Sequence, residues 1–119
     1  MRTVLRQCYG DPAAVTDELV DAILSPGLTH GAAAVFLDFI SYSSGPLPEQ
    51  QLRDVTVPVS VVWGEADPGE KVEWGREFAK YASVEEFVSL PGVGHCPQDE
   101  APHLTNPLAL AFIDRHTAA

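Results

Sequence analysis

The sequence predicts an α/β fold: a helical segment, then strand, helix, strand and helix, with the two strands parallel. Three observations carry this. Residues 1 to 44 show apolar spacing of helical period and nothing that alternates like a strand. Residues 58–63 (PVSVVW) form a short, β-branched, nearly continuous apolar run, which suits a parallel strand covered on both faces. Residues 85–90 (EEFVSL) form a second strand, and a helical pattern separates the two, as in doubly wound sheets. A right-handed crossover through that helix lays the strands side by side in parallel.

The elements follow in order. Val15, Leu19 and Ile23 share one helical face, with Thr16 or Asp11 as N-cap and Pro26-Gly27 as the stop. Ala32, Val35, Phe36, Phe39 and Ile40 repeat at the spacing of an amphipathic helix, which predicts core packing between helices ahead of the alternative, an apolar ligand-binding surface of Phe36, Phe39 and Ile40. Ser43-Ser44-Gly45-Pro46, followed by Pro48, marks the best boundary between subdomains. After the first strand, Gly64 breaks the run. Residues 70–81 (EKVEWGREFAKY) read as one helix, with Val72, Gly75, Phe78 and Ala79 on one side. Pro91-Gly92 closes the second strand. Residues 102–116 read as a terminal helix whose main part is capped by Thr105 or Asn106, with Pro107 suited to its first position. Two strands make a marginal sheet. Residues 58–63 have the composition of a central strand, so partner strands are expected: either the chain is the C-terminal part of a larger domain whose N-terminal half lies upstream, or its stability depends on something else.

Composition narrows the function classes. The 119 residues carry a net charge of −10, and the seven basic residues are scattered, so no nucleic-acid partner is expected. Cys8 and Cys96 form no CxxC pair and suggest reduced thiols, hence an intracellular setting. No apolar run is long enough for a transmembrane helix, and the first 25 residues do not read as a signal or transit peptide.

Asp67 and His95 are the candidate catalytic residues. Each follows a strand by a few residues, where loops at the carboxyl ends of parallel strands build a crevice. Adjacent strands lie about 4.8 Å apart, so an acid and a histidine on neighbouring loops come within hydrogen-bond reach. The carboxylate then accepts the imidazole Nδ1–H and leaves Nε2 free as a general base. Taken singly, each residue is more commonly a turn former or a solvated side chain. The glycines beside His95 permit a tight turn.

VPVSVVWGEADP and LPGVGHCPQDEAP together resemble the C-terminal catalytic segment of α/β-fold hydrolases. In that family an acid follows a late strand and a histidine follows the last one. The helical first half, with YGDPAAVTDELVDAIL and AAVFLDFISYSSGPLPE, resembles the end of the family's cap. The likeness is greatest to a plant and cyanobacterial branch that includes pheophytinase-like and chlorophyll-dephytylase-like esterases. It implies residues 1–45 as a helical cap segment and 46–119 as the C-terminal part of the hydrolase core. It also implies Asp67 and His95 as triad acid and base, an ester substrate with a large apolar group, no cofactor and no metal. The location implied is chloroplast or cyanobacterial cytoplasm.

The family's nucleophile elbow, G-x-S-x-G between strand and helix, is not found in the sequence. Ser43 sits in an S-x-S-x-G frame but follows a helical pattern and precedes prolines, so it reads as linker. His30-Gly31-Ala32 only imitates an oxyanion loop. Gly92 and Gly94 lack the third glycine of a dinucleotide fingerprint. His30, His95, His103, His116 and Cys96 lack zinc-ligand spacing; His103 and His116 read as helix-surface residues. Cys96 reads as a small apolar residue, and Trp63 and Trp74 as packing residues. Three functions compete. The first is a serine-type ester hydrolase whose triad acid and histidine lie here. The second is a truncated non-catalytic binder of a hydrophobic ligand or partner. The third is a dehalogenase-like hydrolase with an Asp nucleophile.

Overall fold

The computed structural model describes residues 1–41 and 45–117. Helix α1 spans Arg2–Cys8, and a short 3-10 turn follows at Pro12–Ala14, capped by the Asp11 side chain on the Ala13 N–H. Helix α2 runs Asp17–Gly27; the Thr16 hydroxyl accepts the Leu19 N–H, while Asp17 and Glu18 lie in its first turn, where acids favour the helix dipole. Gly31, at φ +85°, turns the chain through 90° into α3, Ala32–Ser41. A one-turn helix α4 spans Pro48–Gln51.

Strand β1 (Val59–Gly64) pairs in parallel with β2 (Val84–Leu90), in register from Ser60 opposite Glu86 to Gly64 opposite Leu90. The strands are thus parallel and joined through a helix, as the alternating pattern predicts. Residues 70–81 differ in detail from the predicted single helix. Helix α5 covers only Val72–Arg76, and residues 77–80 tighten into a 3-10 turn. Gly75 is buried against the face of Trp63, which stands edge-on to Phe78 and donates Nε1–H to the Glu70 carbonyl at 2.9 Å. A short α6 (Pro97–Glu100) leads into α7, Pro102–Thr117. Pro107 lies inside α7, five residues after Pro102, so neither Thr105 nor Asn106 is its N-cap. Pro102 occupies the first helical position, where a missing N–H is harmless. Thr105 instead returns its hydroxyl to the Ala101 carbonyl.

The core is small. Leu90, Val93 and Ala101 are buried, with Val62, Val88 and Leu108 packed against them. Leu90 and Val93 each contribute about 1.5–3 kcal/mol by burial. At its far end α7 is tied to β2 by Arg115 on Glu86 at 3.0 Å and His116 on Glu85 at 2.9 Å. His116 is exposed on α7, as read from the sequence, and pairs there with Glu85.

Two other expectations fail for want of a packing partner. Phe36, Phe39 and Ile40, predicted to pack between helices, are exposed, and so is Trp74. The whole fold is open in the same sense. Its accessible surface is 8358 Å², whereas a chain of this mass packs to about 6,300 Å². Its radius of gyration is 16.5 Å, against about 13.5 Å for a compact domain of this length. Strand β1 is only half-buried along most of its length. Among the described residues no single helix is long and apolar enough to cross a membrane.

Candidate functional site

The carboxyl ends of β1 and β2 carry two loops that lie against each other. Leu90, Pro91, Gly92 and Val93 make a tight turn closed by the Val93 N–H on the Leu90 carbonyl at 3.3 Å. Proline followed by a glycine at φ +74° is the type II arrangement, which needs a residue free to adopt positive φ. The turn delivers Val93, Gly94 and His95 alongside the chain leaving β1. Glu65 N–H reaches the Leu90 carbonyl at 3.0 Å and Ala66 N–H the Val93 carbonyl at 2.8 Å. Gly64 and Gly94 meet so closely that a Cβ on Gly64 would lie 2.0 Å from the Gly94 oxygen.

This register brings Asp67 to His95. Asp67 Oδ2 accepts from His95 Nδ1 at 2.7 Å. Its other oxygen, Oδ1, accepts the backbone N–H groups of Gly69 at 2.8 Å and Glu70 at 3.0 Å. An aspartate that bonds the backbone two and three residues ahead forms its own turn, so the carboxylate is held from behind. Burial pushes the Asp67 carboxyl up, but the Glu70 N–H, the His95 ring and the Gly69 N–H together hold it below the usual carboxylate range. These contacts favour the ionised carboxylate, and an ionised carboxylate can only accept, so it pairs with the tautomer that has its proton on Nδ1.

The two partners differ in exposure. The Asp67 side chain is 7% exposed and that of His95 is 51% exposed. His95 and Asp67 both line an open cleft of about 270 Å³, together with Val62, Trp63, Glu70 and Gln98. An imidazole bonded through Nδ1 to a carboxylate has the chemistry of a general base, with Nε2 free to accept a proton and the acid placed beside the imidazolium that would form.

The N-terminal segment completes the site, and sequence reasoning missed it. The Cys8 carbonyl accepts the His95 backbone N–H at 2.7 Å. Glu100 Oε1 accepts the N–H of Gly94 at 2.9 Å and of Gly10 at 3.0 Å, and the Tyr9 hydroxyl donates to Asp99. Gly10 and Glu100 are 90 positions apart, so no local pattern links them. Cys96 lies beside His95 as a free thiol. Burial pushes that thiol up, with further contributions from Cys8, Asp99, Glu100 and Asp67, which favours the inert protonated form. Ser43 lies outside the described residues. His30 and His103 are exposed, and neither shares a hydrogen bond with the Asp67–His95 pair. Among the described residues no cluster of three or more His, Cys, Asp or Glu side chains has the arrangement to hold a metal ion.

No family model matches the chain. It is similar to the chloroplastic pheophytinase of Arabidopsis thaliana, 25% identical over 114 residues, which make up 92% of this chain and 24% of that protein. It is also similar to an uncharacterized hydrolase, YugF, of Bacillus subtilis (strain 168), 25% identical over 103 residues, 87% of this chain and 38% of that protein. The chain therefore spans about a quarter and well under half of the lengths of these two relatives. Both are α/β-hydrolase family members, and the parallel strand pair with its helices is consistent with part of that fold. At family level the likeness supports a hydrolase-like function.

Proposed function

We propose that Asp67 and His95 are the acid and base of a serine-type hydrolase that cleaves carboxylic esters carrying a large apolar group. The observation that carries this reading is the 2.7 Å bond between His95 Nδ1 and the shielded Asp67 carboxylate, beside an open cleft that both residues line. In this reading the nucleophilic serine and the oxyanion donors come from residues outside these 119. His95 removes the serine proton as the oxygen attacks the ester carbonyl, then returns it to the leaving alcohol. It next takes a proton from the water that attacks the acyl-serine carbonyl and passes it to the serine oxygen as the acid leaves. The apolar ester is suggested by the likeness to a pheophytinase.

The test has two parts. The reading frame upstream of Met1 should encode a strand, a G-x-S-x-G turn and a helix; aspartate at the centre of that turn would indicate the dehalogenase-like chemistry instead. In a protein joining both parts, Asp67→Asn and His95→Ala should each lower kcat by on the order of 10⁴ with the protein still folded. Full activity in either variant would sink the assignment.

A second reading is favoured by one observation, the exposed apolar helix α3 with Phe39 at 77% exposure. In that reading the chain is non-catalytic and binds a hydrophobic ligand or partner. An upstream stop codon and promoter would favour it.

A further inference from the structure

Histidine 95 has a well-held backbone and a loosely held ring. Among the described residues only Asp67 hydrogen-bonds the ring, which is half exposed. Where the imidazole sits thus depends on where the main chain of 94–95 sits. Three backbone segments converge there. Gly64 ends β1, Gly94 precedes His95, and Cys8–Gly10 crosses on the far side. A Cβ on Gly94 would lie 2.2 Å from the Cys8 oxygen and 2.5 Å from the Gly10 nitrogen, and one on Gly10 would lie 2.0 Å from the Gly92 oxygen. At such separations glycine alone lets the segments touch, and their amide groups need partners at the contact.

One side chain supplies those partners. Glu100 leaves the end of α6, and its carboxylate takes the Gly94 N–H on both oxygens, at 2.9 and 3.0 Å. Its Oε1 also takes the Gly10 N–H at 3.0 Å. The carboxylate therefore bridges the histidine turn to the N-terminal segment, whose Cys8 carbonyl in turn holds the His95 N–H. Hydrogen bonds to an ionised acceptor are the stronger kind, and this acceptor is half-buried, where they are screened less.

We propose that Glu100 is a positioning residue for His95: by clamping the Gly94 and Gly10 amides it fixes the turn from which the imidazole meets Asp67. The proposal rests on the relay reading of Asp67 and His95. Loss of the clamp frees residues 92–95 to move away from the carboxylate, and the Nδ1–H tautomer loses its support.

The experiment is NMR on the full 119-residue chain, reading the ring ¹⁵N shifts of His95, which report the protonated nitrogen, and amide exchange at Gly10, Gly94 and His95. In wild type the ring is expected as the Nδ1–H tautomer; a wild-type Nε2–H ring would count against the relay reading itself, before any variant is made. Glu100→Ala should speed exchange of the three amides by about tenfold or more and mix the tautomers. Glu100→Gln keeps one oxygen able to accept from both amides and should restore the wild-type shifts. Should the alanine variant unfold, Glu100→Asp serves in its place, because its carboxylate is drawn back by one methylene and cannot span both amides. Wild-type ring shifts and exchange in a folded Glu100→Ala or Glu100→Asp chain overturn the proposal. So does a Gln variant as disturbed as the Ala variant.

Discussion

A methyl group added at Gly64 should separate the two loops that carry Asp67 and His95. Gly64 ends β1 three residues before Asp67, and Gly94 immediately precedes His95. An alanine Cβ at position 64 would lie 2.0 Å from the Gly94 oxygen, 2.4 Å from the Val93 oxygen and 2.9 Å from the Gly94 carbonyl carbon. These are main-chain atoms, so no flexible side chain is available to swing aside. The loops must part by at least 1.0 Å to reach the shortest contact real Cβ atoms make, and by 1.4 Å to reach ordinary contact at 3.4 Å. Movement of the histidine turn in the opposite direction is resisted by Cys8 and Gly10 behind it. A displacement of this size takes the Asp67–His95 distance from 2.7 Å to about 3.7 Å, beyond a hydrogen bond. Overpacking of this kind costs about 1–3 kcal/mol. In a catalytically complete protein, misplacement by about 1 Å would lower turnover on the order of 10²-fold. The assay is urea denaturation of Gly64→Ala with the ¹⁵N shifts of the His95 ring. A variant with wild-type midpoint and wild-type ring shifts would refute the steric reasoning.

Two further outcomes follow from the structure. Asp67 is held below its ordinary value of 3.8 in the folded chain, so its stabilising contribution is complete above the unfolded value and is lost as pH falls through the lower folded one. The urea midpoint of wild type should therefore drop more steeply between about pH 5 and about pH 3 than that of Asp67→Asn, and equal slopes would contradict the assigned bonds. Phe36 and Phe39 are 62% and 77% exposed, so replacing both by lysine should change stability by about 0.5 kcal/mol or less. The same double variant should cut the fluorescence of an apolar dye bound to the chain; unfolding, read by circular dichroism, would show that the two rings are packed after all.

Much of the fold is legible in the sequence because the signals are local. The β-branched run of 58–63 and the run of 85–90 mark strands, and the breakers at Gly64 and Pro91-Gly92 end them. Thr16 caps α2 as its position suggests. Sequence misleads where a local signal competes with an unseen contact. The apolar pattern of residues 70–81 favours one helix, but Gly75 packed on Trp63 and the Trp63 bond to Glu70 shape the real path. Pro107 looks like the start of the terminal helix's main part, yet α7 begins at Pro102 and runs through Pro107 without a new cap. The stripe on α3 signals packing, but amphipathic spacing encodes only that a face is apolar, not that anything covers it.

The candidate site divides in the same way. The sequence by itself determined that an acid and a histidine follow successive parallel strands, because strand runs and turn residues are written in consecutive positions. Only the tertiary structure decided that the two side chains meet at 2.7 Å, that Asp67 is shielded while His95 faces a cleft, and that Glu100 ties Gly94 to Gly10. Those relations join residues 28 and 90 positions apart. They depend on sheet register and on glycine backbones brought into contact, which no local run of residues specifies.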